Sequence, residues 1–141
     1  MARKTLLYED KRAYVEDIKS RSPCPETIDE ESVCESDFKR ISPEENAEKR
    51  MEFDEKKEQL IKEWEQQNGR EWPRYETDVY SENGHLIRKA GMRYDAHHIK
   101  PLCMGGENTA ENITPLHAED HYDHQGVHAS DSPYSKLMKE V

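Results

Sequence analysis

All seven histidines of this chain lie between His85 and His128. His97 and His98 are adjacent, and His117, His121, His124 and His128 follow within one short stretch. Imidazole is both a common metal ligand and the side chain that exchanges a proton near neutral pH. Two side chains on a helix reach the same ion when they are three or four residues apart. His117/His121, His121/His124 and His124/His128 all have that spacing. The chemistry within reach is therefore divalent-metal binding, proton transfer, or both.

Order adds more than number. Asp95-Ala96-His97-His98-Ile99-Lys100-Pro101 is followed by Gly105-Gly106, then Asn112-Ile113-Thr114-Pro115-Leu116, then the histidine-rich stretch around His121. Over residues 72–128 this resembles the HNH (ββα-metal, His-Me finger) endonuclease superfamily. The His-His form looks like the DNase domains of colicin-type bacteriocins and the nuclease tips of bacterial polymorphic toxins.

The resemblance implies a metal-dependent endonuclease that hydrolyses phosphodiester bonds of DNA, as an antibacterial toxin. It assigns His97 as the first metal ligand, His98 as general base and Asn112 as the residue that holds the His98 ring. His121 is then the first ligand on the helix. The position four residues on, where the family places its next ligand, is Gln125. His124 is taken as the third ligand, with His128 as the alternative, and His117 faces outward or meets a phosphate. One divalent ion is implied, and a histidine-rich site accepts Zn, Ni, Mg or Mn. Asp95 is placed to orient a histidine from behind, and Arg88, Arg93 and Lys100 to contact phosphates. The implied partners are DNA, with RNA as the alternative substrate, and a cognate immunity protein. Three other readings stay open: a phage or mobile-element HNH endonuclease, an RNase on the same scaffold, and a non-catalytic zinc-binding module.

The elements that must position these residues are legible in part. The expected fold is α+β: a small ββα-metal core preceded by a mostly helical extension. Residues 1–41 read as a short helix over Thr5–Ser20 followed by an acidic linker from Pro23 to Ile41. Residues 42–69 read as one long charged helix. Ser42-Pro43-Glu44-Glu45 opens it as a capping box with proline at the first helical position, and Gly69 stops it. Residues 70–141 hold the nuclease core. Val79–Arg88 alternates around Asn83-Gly84, a favoured tight-turn pair, and reads as a β-hairpin or an Ω-like loop. A second hairpin is expected to pair Asp95–Ile99 with Asn112–Thr114, and Thr114-Pro115 to open a helix. Trp72 is read as core and Cys103 as an ordinary buried thiol. Residues 1–69 contain no histidine and are expected to be dispensable for the chemical step.

Composition sets bounds on all of this. The 141 residues carry a net charge of −10, and 33% are hydrophobic against 37% charged. Such a chain cannot fill a large core along its whole length. Residues 1–69 hold 13 basic and 19 acidic side chains, net −6, and residues 70–141 hold 8 and 12, net −4. Neither half has the basic footprint usual for a nucleic-acid enzyme. Cys24, Cys34 and Cys103 match no zinc-ligand pattern, and spacing alone does not assign a Cys24–Cys34 bridge. No stretch approaches the roughly 18 apolar residues of a membrane span, and the N-terminus has no apolar signal core. The expected location is the cytoplasm, or the cytoplasm of a target bacterium reached as part of a larger secreted toxin, with no membrane partner.

Overall fold

The computed structural model describes residues 2–122 and 126–141. The fold is α+β. Helix α1 spans Ala2–Arg21, α2 Glu30–Glu35 and α3 Pro43–Asn68. Strands β1 (Val79–Tyr80) and β2 (Leu86–Arg88) form one antiparallel pair, and β3 (Asp95–His98) and β4 (Ile113–Leu116) form another. The chain continues through the short helix α4 (Ala118–Tyr122) and ends in α5 (Pro133–Glu140).

Helix α3 follows its local signals. The Ser42 side chain accepts a hydrogen bond from the Glu45 amide at 3.1 Å, and Pro43 occupies the first turn. Gly69 closes the helix at φ 62°, a left-handed conformation that glycine adopts without a Cβ penalty. In the β1–β2 hairpin, Gly84 has φ 82°, and the turn is closed by the Ser81 amide donating to the His85 carbonyl.

The β3–β4 hairpin lies between two cores. In one, Ile99 and Leu116 pack with Tyr14, Val15 and Ile18 of α1, Cys34, Phe38 and Leu137. In the other, Ile113 and Ala110 pack with Phe53, Leu60, Ile61 and Trp64 of α3 and with Trp72. Trp64 and Trp72 meet edge to face with centroids 4.9 Å apart. Trp72 is buried as expected and donates its indole N–H to the Tyr94 carbonyl.

Two expectations are corrected. The stretch from Pro23 to Ile41 is not a loose linker: it contains α2, capped by Asp29, and buries Cys24, Ile28, Cys34 and Phe38. Its apolar residues are too sparse to show a period, yet each fills a gap left by another part of the chain. Thr114-Pro115 does not open a helix. His97 pairs with Thr114 and Ala96 with Pro115, so the strand runs on to Leu116 and the helix begins at Ala118. The Thr114 hydroxyl is engaged by Ser22 at 2.8 Å instead of capping, and a proline is tolerated because a two-stranded sheet is all edge. Residues 1–69 contribute side chains to both cores. The three cysteines are free thiols, with Cys24 and Cys34 buried and Cys103 half-buried.

Candidate metal centre and its cleft

Strand β3 carries His97 and His98, both buried. Neighbouring residues on a strand point to opposite faces, and the two rings accordingly find different partners. The Tyr14 hydroxyl of α1 lies 2.9 Å from His97 Nε2. The His98 ring meets Phe53 of α3 edge-on at 4.5 Å. Both still line one open cleft of about 440 Å3, together with Asp95, His121, His128, Arg50 and Lys57 among others.

Partners fix the protons on the first ring. Tyr14 is fully buried and donates its hydroxyl proton to the Ile99 carbonyl at 2.6 Å. Burial pushes its pKa well above the usual tyrosine range, so the phenol keeps that proton. The hydroxyl oxygen then accepts from Nε2–H of His97, which leaves the His97 Nδ1 lone pair facing the cleft. His121 is held in the complementary way. Its Nδ1 donates to the Asp95 carboxylate at 3.3 Å, which puts the ring's lone pair on Nε2. Asp95 itself is gripped by both Arg88 nitrogens at 2.9 Å and by the Tyr75 hydroxyl at 3.1 Å. Burial alone would raise the Asp95 pKa, but hydrogen bonds from His121 and Arg88 hold it well below the usual carboxylate range.

The two lone-pair nitrogens, His97 Nδ1 and His121 Nε2, are 3.4 Å apart. Two nitrogens on one tetrahedral zinc, each about 2.0–2.1 Å from it, lie roughly 3.3–3.4 Å apart. His128 completes the set: one nitrogen from each of His97, His121 and His128 lies within 4.8 Å of the others. Burial lowers the pKa of His97 well below its usual value and that of His128 to about 4, so both rings are neutral at neutral pH. Neutral imidazole is the form that binds metal. The donor set fits a divalent ion. His124, the expected third ligand, lies outside the described residues, while its alternative His128 is in place.

His98 stands beside the trio with a separate support. Its Nε2 is 3.0 Å from Asn108 Oδ1. The Asn108 amide nitrogen donates to the Lys49 carbonyl and to Glu52, both on α3, so its oxygen must face His98. His98 therefore carries its proton on Nε2 and has a free lone pair on Nδ1. Burial is the largest influence on this ring and brings its pKa to about 4, against the Asn108 bond, which raises it.

The partner expected for His98 is corrected here. Asn112 does not touch the ring. Its side chain accepts from the Lys100 amide at 2.8 Å and donates to the Lys100 and Glu107 carbonyls. Its own carbonyl accepts from the Ile99 amide. Asn112 thus pins the loop between β3 and β4, and the loop presents Asn108. Gly106 is needed in that loop because a Cβ there would lie 2.0 Å from the Lys100 carbonyl oxygen.

The remaining expected residues are placed as follows. Arg88 clamps Asp95, and Arg93 pairs with Glu58 of α3; both line the cleft. Lys100 lies over the Phe38 ring with its nitrogen 5.5 Å from the centroid, away from the cleft lining. His117 is stacked edge-on against Tyr75 and Tyr94. Sequence reasoning missed Tyr14, Asn108 and Arg50. Asn108 had a faint local signal, two residues after Gly105-Gly106. Tyr14 and Arg50 had none, because they reach the site from helices far away along the chain.

No protein-family model matches the chain. It is 42% identical over 111 residues to Toxin YxiD of Bacillus subtilis (strain 168). That alignment covers 77% of this chain and 19% of the relative, so the chain corresponds to a small part of a much longer protein. The chain is thus homologous to a segment of a bacterial toxin.

Proposed function

We propose that the chain is the nuclease segment of a bacterial toxin, a metal-dependent endonuclease that hydrolyses phosphodiester bonds of DNA. One observation carries the reading: a buried histidine with an oriented ring and a free Nδ1 lies beside a three-histidine metal-binding set in one cleft. His97, His121 and His128 would hold the ion, which when bound stabilises negative charge on the phosphate and on the departing oxygen. His98 takes the proton of the attacking water at Nδ1, and its ring is kept in line by Asn108. Tyr14 and Asp95 hold two of the ligands from behind, so the set is organised before substrate arrives.

A closed structural zinc site uses four protein ligands. Three converge among the described residues, and His98 with its own orienting asparagine has no purpose in such a site. Homology to a toxin segment supports an effector role, with delivery into a target cell as part of a longer protein. A DNase of this kind endangers its maker, so a cognate immunity protein is part of the proposal. This net acidic chain calls for an inhibitor less acidic than one that binds a basic nuclease, or one with a basic face.

Purified protein incubated with plasmid DNA and with tRNA, in Mg, Mn, Ni, Zn or chelator, tests the activity. Plasmid is expected to be cut with metal and spared with chelator. Cleavage of tRNA alone would establish the RNase reading, and no cleavage with any metal would leave the zinc-binding module. Expression of the chain in bacteria is expected to cost viability and chromosomal DNA. Harmless expression of a protein that cuts DNA in vitro would overturn the toxin role in favour of a mobile-element enzyme.

A further inference from the structure

The wall of the cleft facing the histidines is α3. Arg50, Phe53, Asp54 and Lys57 line it, and their spacing puts them on one helix face. Farther along the same stripe Leu60, Ile61 and Trp64 are buried. The stripe therefore anchors the helix at one end and borders the cleft at the other. Phe53 against His98 fixes how close that face stands to the chemistry. Arg50 lines the same cleft as His97, His98 and His128.

The cations of the cleft differ in their commitments. Arg88 is tied to Asp95 and Arg93 to Glu58. Among the described residues, Arg50 and Lys57 form no ion pair within 4.0 Å. In a chain of net charge −10, two cations in a histidine cleft with no close ion pair among the described residues are the groups best placed to meet an anion. They are seven residues apart, about 10 Å along the helix axis, far enough that each can meet a different phosphate of one strand. Asp54 lies between them on the same face and opposes a phosphate backbone.

We propose that α3, outside the stretch that carries the histidines, is the arm that grips the nucleic-acid backbone: Arg50 takes the phosphate at the histidine cluster and Lys57 a flanking one. The assignment rests on the nuclease reading above. It moves the phosphate contacts expected of Arg88 and Arg93 to a helix whose sequence reads as charged with one packed apolar stripe. It also explains how an acidic chain can hold DNA, since backbone contacts need local cations rather than a basic protein.

The test is binding of a short fluorescent DNA duplex to the full chain in chelator, followed by anisotropy across a salt series. Each phosphate that the protein no longer neutralises lowers the slope of log K against log salt by about 0.9. The double variant Arg50→Ala/Lys57→Ala is expected to bind more weakly, with a slope lower by about 1.8. Lys62→Ala, the same kind of charge change on the same helix outside the cleft, should keep the wild-type slope. Arg50→Lys/Lys57→Arg should also keep it, which separates charge from damage to the fold. Asp54→Asn should tighten binding. Zinc affinity by calorimetry should not fall in the double alanine variant. A wild-type chain that cuts plasmid while the double alanine variant keeps its salt slope would overturn the role of α3 alone. A wild-type chain that neither binds duplex nor cuts plasmid would overturn the nuclease reading and this assignment with it.

Discussion

Replacing Tyr14 by Phe removes one oxygen from the middle of the molecule and leaves the ring in its fully buried place. The hydrogen bond from His97 Nε2–H disappears, and with it those to the Ile99 and His98 carbonyls. A buried N–H left without an acceptor costs about 1–3 kcal/mol. The larger consequence is for metal. Without the hydroxyl, nothing keeps the proton on Nε2, and the His97 ring can turn or change tautomer so that no lone pair faces His121. Removal of such a partner behind a ligating histidine typically lowers metal affinity by about 10–100-fold. Zinc titration calorimetry, with urea unfolding in chelator, reads both effects. Ser22→Ala is the matched control. It removes a buried hydroxyl just past the end of α1, bonded to Thr114 at 2.8 Å, and touches no ligand. It is expected to cost about 1–3 kcal/mol of stability, because the buried Cys24 amide loses its acceptor, with wild-type zinc affinity. Tyr14→Phe with wild-type zinc affinity would refute the argument, and so would equal losses of affinity in the two variants, because affinity would then merely track stability.

His98→Ala is expected to abolish plasmid cleavage while metal affinity stays near wild type, and Asn108→Ala to lower cleavage by about 10–100-fold through misorientation of that ring; wild-type cleavage by His98→Ala would sink the mechanism. His128→Ala should lose zinc affinity sharply, since about one in three protein ligands goes; if His124→Ala loses it and His128→Ala does not, the third ligand is misassigned while the fold stands. A fragment starting near Gly69 is expected to be unfolded by circular dichroism, because it lacks Tyr14, Val15, Ile18, Leu60, Ile61 and Trp64 from the two cores; a folded, metal-binding fragment would show that those residues are dispensable.

Features written in short-range chemistry were readable from the sequence alone. The bounds of α3 follow from Ser42, Pro43 and Gly69, each of which acts within one helical turn. The two hairpins follow from turn residues and alternation, and the histidine cluster from its density and order. Those signals act within a turn or two of the chain, and at these positions no distant contact overrides them. What the tertiary structure decided is everything that depends on a partner far along the chain. Thr114 looked like a helix cap and instead pairs across a sheet and bonds Ser22, 92 residues away in sequence. Asn112 and Asn108 are both plausible partners for His98 by spacing. Only the grip of Lys49 and Glu52 on the Asn108 amide turns its oxygen toward the ring. The proton on His97 is set by Tyr14, 83 residues earlier. A sequence names which side chains could bind a metal or a phosphate. Which nitrogen keeps its lone pair, and which cation is left without a carboxylate, are decided by close contacts that exist only once the chain has folded.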